Sequence, residues 1–518
     1  MKIKTLITLL LCSAVYAQHP RDFIADDAFS VLSIKDGNAI NSVIETVYEE
    51  IATSNAKIKY LDTFLTEFFD DPTAVDLSSE LLLVVEPTIL VKGQQQAGLF
   101  GPIPHMQIIC KAKEGRTLTI KNSSWLKSSI TVDGWFIASG AESIVVRKEE
   151  SLSSIFNSMP DTQAGWVIRF KPLWQQFGPI AQMMGGIYIG SMNKPDLNGV
   201  ISKQQRSATA AARNAFKELT AWCSTAGNIS IGVDIEDFVL LTTIDIESNE
   251  TSIPTIDNAS MLAMSSYFND SVFQCAMSGD FTRMLLNIDE HSFDLIAPFA
   301  SVPAPILASS MRLLAVLAEV NVLSCDLNLK NGLTLSALVD THDQSMYLKE
   351  APTAISLITK QLLDDFQVEL SEAKTPNTWD VSMIGSDDDD QNALNAMVHP
   401  GGEFLIAAAG DERVAMAFGP KDWRVFGSPR STTLTQVISK HSKRVEIDMA
   451  LVIDFRSLAI GFAEIAKETN PDDLIVFAQT PSAKCSLLYG STTSGIFVEA
   501  KLNVIGLANL YQKWIKLK

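Results

Sequence analysis

Cysteine and histidine are scarce in this chain, with six of each in 518 residues. Cys12 falls in an N-terminal apolar run, which leaves Cys110, Cys223, Cys275, Cys325 and Cys485 in the body of the sequence. So sparse and odd a set excludes a disulfide framework, and none of the five stands in a CxxC or Cys/His zinc spacing. They read as small buried apolar residues whose pairing, if any, the sequence does not disclose. Positive charge is also short. The 41 Lys and Arg face 60 Asp and Glu, a net charge of −19, which argues against electrostatic capture of nucleic acid or of an anionic membrane surface. Low-complexity tracts are missing as well, since 27 Gly and 20 Pro are spread along the chain. What is present is apolar material: 47% of residues are hydrophobic, enough for a large core divided between two domains.

The first residues carry an address. Lys2 and Lys4 precede an apolar run from Thr5 to Leu11, and the segment closes on Val15-Tyr16-Ala17. A charged start, a short apolar run and a small-residue cleavage site predict a signal peptide over residues 1–17, with a mature chain starting at Gln18 in a secreted or periplasmic location. The run is too short to span a bilayer, which takes about 20 residues. The most apolar later stretch, Ala300 to Leu323, is interrupted by Arg312 and Glu319. It predicts a helix over Pro303–Val320 packed inside the protein, with no membrane span after signal cleavage.

Internal repetition organises the rest. Asp26–Ser33 resembles Ile256–Ala263, each expected as a short strand leading to a helix; Trp135–Gly140 resembles Phe404–Gly410; and Trp166–Leu173 resembles Leu451–Leu458. The order is the same in both halves. Gly-containing turns at Glu114-Gly115 and Asn331-Gly332 predict antiparallel hairpins, and further hairpins are expected over Ile229–Ile246 and Cys485–Val504. Between strands, helical spacing is read at Ile40 to Ile51, Leu61 to Phe69, Ser207 to Ala221 and Ile355 to Phe366. Polar residues and Pro254 place a boundary near Asn249–Pro254. The expectation is an α+β protein of two tandem, internally duplicated lobes, 18–253 and 254–518, with antiparallel sheets and packed amphipathic helices. With its signal peptide, its duplicated plan and its "GWFIASG" and "WVIRFKPL" strands, the chain resembles large secreted bacterial proteins grouped as domains of unknown function. That resemblance implies layout alone and brings no catalytic residues with it.

Candidate chemistry is thin. His19 sits at the mature terminus, His105 follows a Pro-rich loop, His399 precedes Pro400-Gly401-Gly402, and His441 lies in the basic segment Lys440–Arg444. None stands at HxH or HExxH spacing, so each reads as a solvated loop histidine. Ser191 and Lys194 match SxxK without the companion SDN and KTG motifs. His342-Asp343 would need a serine across a cleft. Gly185, Gly186 and Gly190 lack the lysine of a phosphate loop and read as close packing or a strand end. Asp387–Asp390 could attract a cation, but Val398 and Asn392 stand where a calcium loop needs Glu and Gly. The sequence therefore yields no catalytic, cofactor or metal residues. The favoured expectation is a non-enzymatic protein that binds an unidentified ligand or protein partner or serves as a structural component, and the alternative is an extracytoplasmic hydrolase whose carboxylates converge only in the fold.

Overall fold

The structure is a computed structural model that describes residues 20–24, 28–51, 60–87, 104–121, 126–141, 144, 154–192, 203–248, 258–268, 271–278, 320–329, 334–341, 344–345, 348, 366–372, 378–385, 402–408, 413–420, 431–465 and 479–517. The signal segment, the Asn249–Pro254 boundary, the Asn331-Gly332 turn and all but the last residue of the Pro303–Val320 and Ile355–Phe366 stretches lie outside them. The chain folds as two units, one built from residues up to Phe177 plus Gly227–Ile235, the other from Gly178–Ala226 and Glu236–Lys518, with Glu50–Ala52 counted in the second.

In the first unit the strands are β1 (Ser30–Ile34), β2 (Leu81–Glu86), β3 (His105–Lys111), β4 (Ser128–Val132), β5 (Trp135–Ser139), β6 (Ala164–Arg169) and β7 (Ala226–Glu236). Every pairing is antiparallel, in the order β7–β6–β1–β2–β3–β5–β4. Alternating side chains go to two cores because a strand presents successive residues to opposite faces. Ile34, Leu81, Ile108 and Cys110 meet Leu65, Phe68, Phe69 and Val75 on one face, under helices α1 (Gly37–Ile51) and α2 (Tyr60–Leu65). Val31, Leu82, Ile109 and Ile137 meet Phe23, Ile24, Ile155 and Phe156 on the other. The start of α1 is set by Asp36, whose carboxylate accepts from the amides of Asn38 and Ala39 at 3.0 Å. From β6 the chain runs directly into α3 (Phe170–Met192), and α4 (Lys203–Thr225) precedes β7.

In the second unit, β8 (Val239–Ser248) is followed by α5 (Asn258–Ser265), β9 (Phe273–Ser278), β10 (Val320–Asn328), β11 (Thr334–Thr341), β12 (Phe366–Glu372), β13 (Thr378–Gly385), β14 (Gly402–Ala408) and β15 (Arg413–Pro420). Next come α6 (Thr433–His441), β16 (Glu446–Asp454), α7 (Phe455–Ile465), β17 (Lys484–Thr492), β18 (Gly495–Asn503) and α8 (Val504–Leu517). The order is β8–β18–β17–β16–β9–β10–β11–β15–β14–β13–β12, again wholly antiparallel. Met261, Met264 and Phe268 from α5 and its end, with Leu434 and Ile438 from α6, pack on Ala276, Val322, Leu338, Ala450 and Val452. The protein is thus α+β, with antiparallel sheets carrying helices.

Position by position, β17–β16–β9–β10–β11–β15–β14 follows the same order as β7–β6–β1–β2–β3–β5–β4. The strands that run directly into a helix, β6 and β16, hold the same place in the two orders, and they are the Trp166–Leu173 and Leu451–Leu458 segments. Other sequence matches are displaced. Asn258–Ala263, the described part of the Ile256–Ala263 match, is not a strand: Asn258–Ser265 is helix α5, because Met261 and Met264 bury one helical face and Asn258 is held by the Ser442 and Val445 carbonyls and the Ile447 amide. The strand in the place of β1 is β9. Likewise Phe404–Ala408, the described part of the Phe404–Gly410 match, falls in β14, which stands where β4 does, while β15 stands in the place of β5.

Three further local expectations differ from the structure. Glu114-Gly115 does turn the chain, with the Arg116 amide donating to the Lys113 carbonyl at 3.0 Å, but no ladder follows it. Beyond the turn Ile120 bridges Phe69 and before it Ala112 bridges Val75, while β3 takes β5 as its partner. The apolar segment 65–75 outcompetes a local hairpin there. Val320 and Phe366 open strands β10 and β12, although helical spacing includes both. The hairpin β17–β18 forms with Thr492 opposite Gly495. The β10–β11 hairpin pairs Asn328 with Thr334 around the expected turn.

Candidate functional site

A groove lies within the second unit, between α4 and the part of α3 from Gly178 onward. It has a volume of about 540 Å3 and is lined by Met184, Gly185, Tyr188, Ile189, Ala212, Phe216 and Leu219. Helical spacing explains the lining. Met184, Tyr188 and Gly185, Ile189 are pairs one turn apart on α3, as Ala212 and Phe216 are on α4. From Pro172 to Met192, α3 contains no charged residue. Gly185 allows the close approach of the two helices, since a β-carbon there would stand 2.2 Å from the tip of the Phe216 ring. The Gly185, Gly186 and Gly190 run is therefore helical, and at Gly185 it serves packing, not a strand end.

This site is apolar and open. Met183, Met184, Ile187 and Tyr188 are 50%, 53%, 62% and 65% exposed, and Leu219 on α4 is 53% exposed. A run of exposed large apolar side chains on one face marks a binding surface more often than idle surface. Positive charge is close by in the sequence: Arg213 and Lys217, both exposed, follow the lining residues Ala212 and Phe216 by one position on α4. Helix α4 carries four basic residues, Lys203, Arg206, Arg213 and Lys217, against the single acid Glu218, within a chain whose net charge is −19.

Of the residues that could have carried chemistry, the described ones are Ser191, His105 and His441. Ser191 sits in the last turn of α3 with its hydroxyl donating to the Tyr188 carbonyl at 2.6 Å, and Lys194 lies outside the described residues. His19, His342, Asp343, His399 and Asp387–Asp390 lie outside them too. His105 and His441 are not solvated loop residues. His105 opens β3 opposite Glu86, with Nε2 3.1 Å from the carboxylate and both side chains 12% exposed. His441 ends α6 with Nε2 3.0 Å from Glu499, whose oxygens both accept from Lys440 at 3.1 Å. Burial pulls the Glu499 carboxyl up, but the hydrogen bonds from His441 and Lys440 outweigh it and hold it below its ordinary value. Each histidine is paired with a carboxylate through strand pairing or helix packing, contacts that local motif reading does not reach.

Among the described residues no three His, Cys, Asp or Glu side chains are grouped to hold a metal ion. Burial, with repulsion from Glu247, holds the Asp245 carboxyl above its ordinary value. Burial likewise pushes the Cys110 thiol up to about 12. No helix among the described residues is long and apolar enough to cross a membrane.

No protein-family model matches the chain, and no curated protein sequence matches it. Among solved structures, crystal form I of TP0453 is similar with a TM-score of 0.21 and 7% identity, covering 50% of this chain and 98% of that one. Crystal form III of TP0453 gives 0.20 and 8% over the same shares. Likeness at this level bears on neither fold nor function.

Proposed function

We propose that this chain is a non-enzymatic binding protein of the cell envelope or the extracellular space, which takes the hydrocarbon part of a small anionic amphiphile in the groove between α3 and α4. The observation that carries the reading is the groove itself, apolar along its lining and about 540 Å3 in volume, within the usual range of small-molecule sites. Methionine at its mouth suits an aliphatic ligand, because the unbranched thioether adapts to irregular shapes. The exposed Arg213 and Lys217 of α4, each one position from a lining residue, favour a negatively charged head over a neutral or cationic one. The signal-like pattern over residues 1–17 supports the address. The alternative, a carboxylate hydrolase, would need two carboxyls facing one cleft, and the lining of this groove includes none.

The test is displacement of a fluorescent fatty-acid analogue by a medium-chain carboxylate and by the alcohol of the same chain length. Phe216→Ala should weaken both about tenfold or more, because the ring supplies much of the apolar wall against which the hydrocarbon is buried. Charge reversal at Arg213 and Lys217 together should weaken the carboxylate several-fold and leave the alcohol unchanged. Binding that ignores both changes would contradict the proposal.

A further inference from the structure

Strands β9 and β10 pair antiparallel with Cys275 directly opposite Cys325. Directly opposed residues of an antiparallel pair have Cα atoms about 4.5–5.5 Å apart, inside the range of about 4.4–6.8 Å that a disulfide spans. Being opposed, the two side chains also leave the sheet on the same face. The two thiols are within interaction range of each other. Among the described residues no other cysteine is so placed. Cys485 faces Ile453 and Leu502 across its two neighbouring strands, Cys110 faces Phe136, and Cys223 lies on α4. On the outer sides of the pair stand Leu451 and Ala337, which offer no competing thiol.

We propose that Cys275 and Cys325 form a redox-closable pair, a modification site at which a small disulfide or a dithiol-disulfide oxidase converts two thiols into one cross-strand disulfide. The inference is independent of the groove and its ligand. Cys325 is half-buried and Cys275 is buried, so the oxidant meets Cys325 first. In the first step the Cys325 thiolate attacks an oxidant RSSR, forming a Cys325–S–S–R bond and expelling RS⁻. In the second, the Cys275 thiolate attacks the Cys325 sulfur, forms the protein disulfide and expels the second RS⁻. Two electrons pass from the cysteines to RSSR, and the two protons released from the thiols go to the two RS⁻, giving two RSH. The bridge ties β10 to β9 across a stretch of chain fifty residues long, from Cys275 to Cys325. Such a constraint disfavours the unfolded ensemble.

The experiment uses the full chain, reduced and then equilibrated with oxidised glutathione, quenched with an alkylating reagent under denaturing conditions and mapped by mass spectrometry without reduction. The expected result is a single cross-linked peptide pair joining Cys275 to Cys325, with Cys110, Cys223 and Cys485 alkylated. The oxidised protein should melt several degrees above the reduced one. Cys275→Ser and Cys325→Ser should each abolish that difference while melting close to the reduced parent. Alkylation of both residues, a glutathione adduct left at Cys325, or a cross-link to another cysteine would overturn the proposal.

Discussion

Glu499 is the residue whose chemistry is most tightly specified. Its carboxylate lies 8% exposed, with His441 and Lys440 of α6 both within hydrogen-bond distance. Because its folded value is depressed, the stability it contributes is fully present above the ordinary glutamate range and is lost as pH falls through the folded value. Glu499→Gln should therefore cost about 1–3 kcal/mol at neutral pH, the worth of hydrogen bonds to a charged group. Urea unfolding at a series of pH values should show the gap between variant and parent closing on the acid side. A gap that persists or widens in acid would contradict this. The sequence shows His441 within a run of basic residues, but its partner lies 58 residues further on, and only the placing of α6 beside β18 joins them. His105 and Glu86 are joined the same way, across the β2–β3 register.

At the scale of elements, legibility follows local chemistry. Helix α1 begins where Asp36 caps it, and the β17–β18 hairpin turns at Thr493-Ser494, one residue before the expected Ser494-Gly495, because both signals act within a few residues. The match of Trp166–Leu173 with Leu451–Leu458 marks two strand-to-helix junctions that occupy the same place in the two pairing orders. The displaced matches fail because apolar alternation resembles itself in any strand, and the identity of a strand resides in its partners. Two glycines separate packing from propensity. A β-carbon at Gly490 on β17 would stand 2.3 Å from the Glu446 carbonyl oxygen, backbone that cannot swing aside, whereas at Gly186 on α3 nothing lies within 4 Å. Gly490→Ala should lower stability by about 1–3 kcal/mol. Gly186→Ala should raise it by about 0.5–1 kcal/mol through helix propensity. Thermal melts that moved in the same direction for both would contradict the packing described here.

For the molecule as a whole, α+β architecture is readable from strands separated by hairpins, and the antiparallel order in each unit agrees with it. The groove is not. The Gly185, Gly186 and Gly190 run reads in sequence as close packing or a strand end, since nothing in one stretch of chain shows which helix faces it. The net charge of −19 conceals a helix with four basic residues and one acid. The central claim, that this groove takes an apolar ligand with an anionic head, is tested most directly by isothermal titration calorimetry of the protein with a medium-chain saturated carboxylate at several temperatures. The account predicts one ligand per chain and a negative heat-capacity change from apolar burial, both lost when Phe216 and Leu219 are replaced by serine. Absence of saturable binding in the parent, or binding that survives those replacements unchanged, would contradict it.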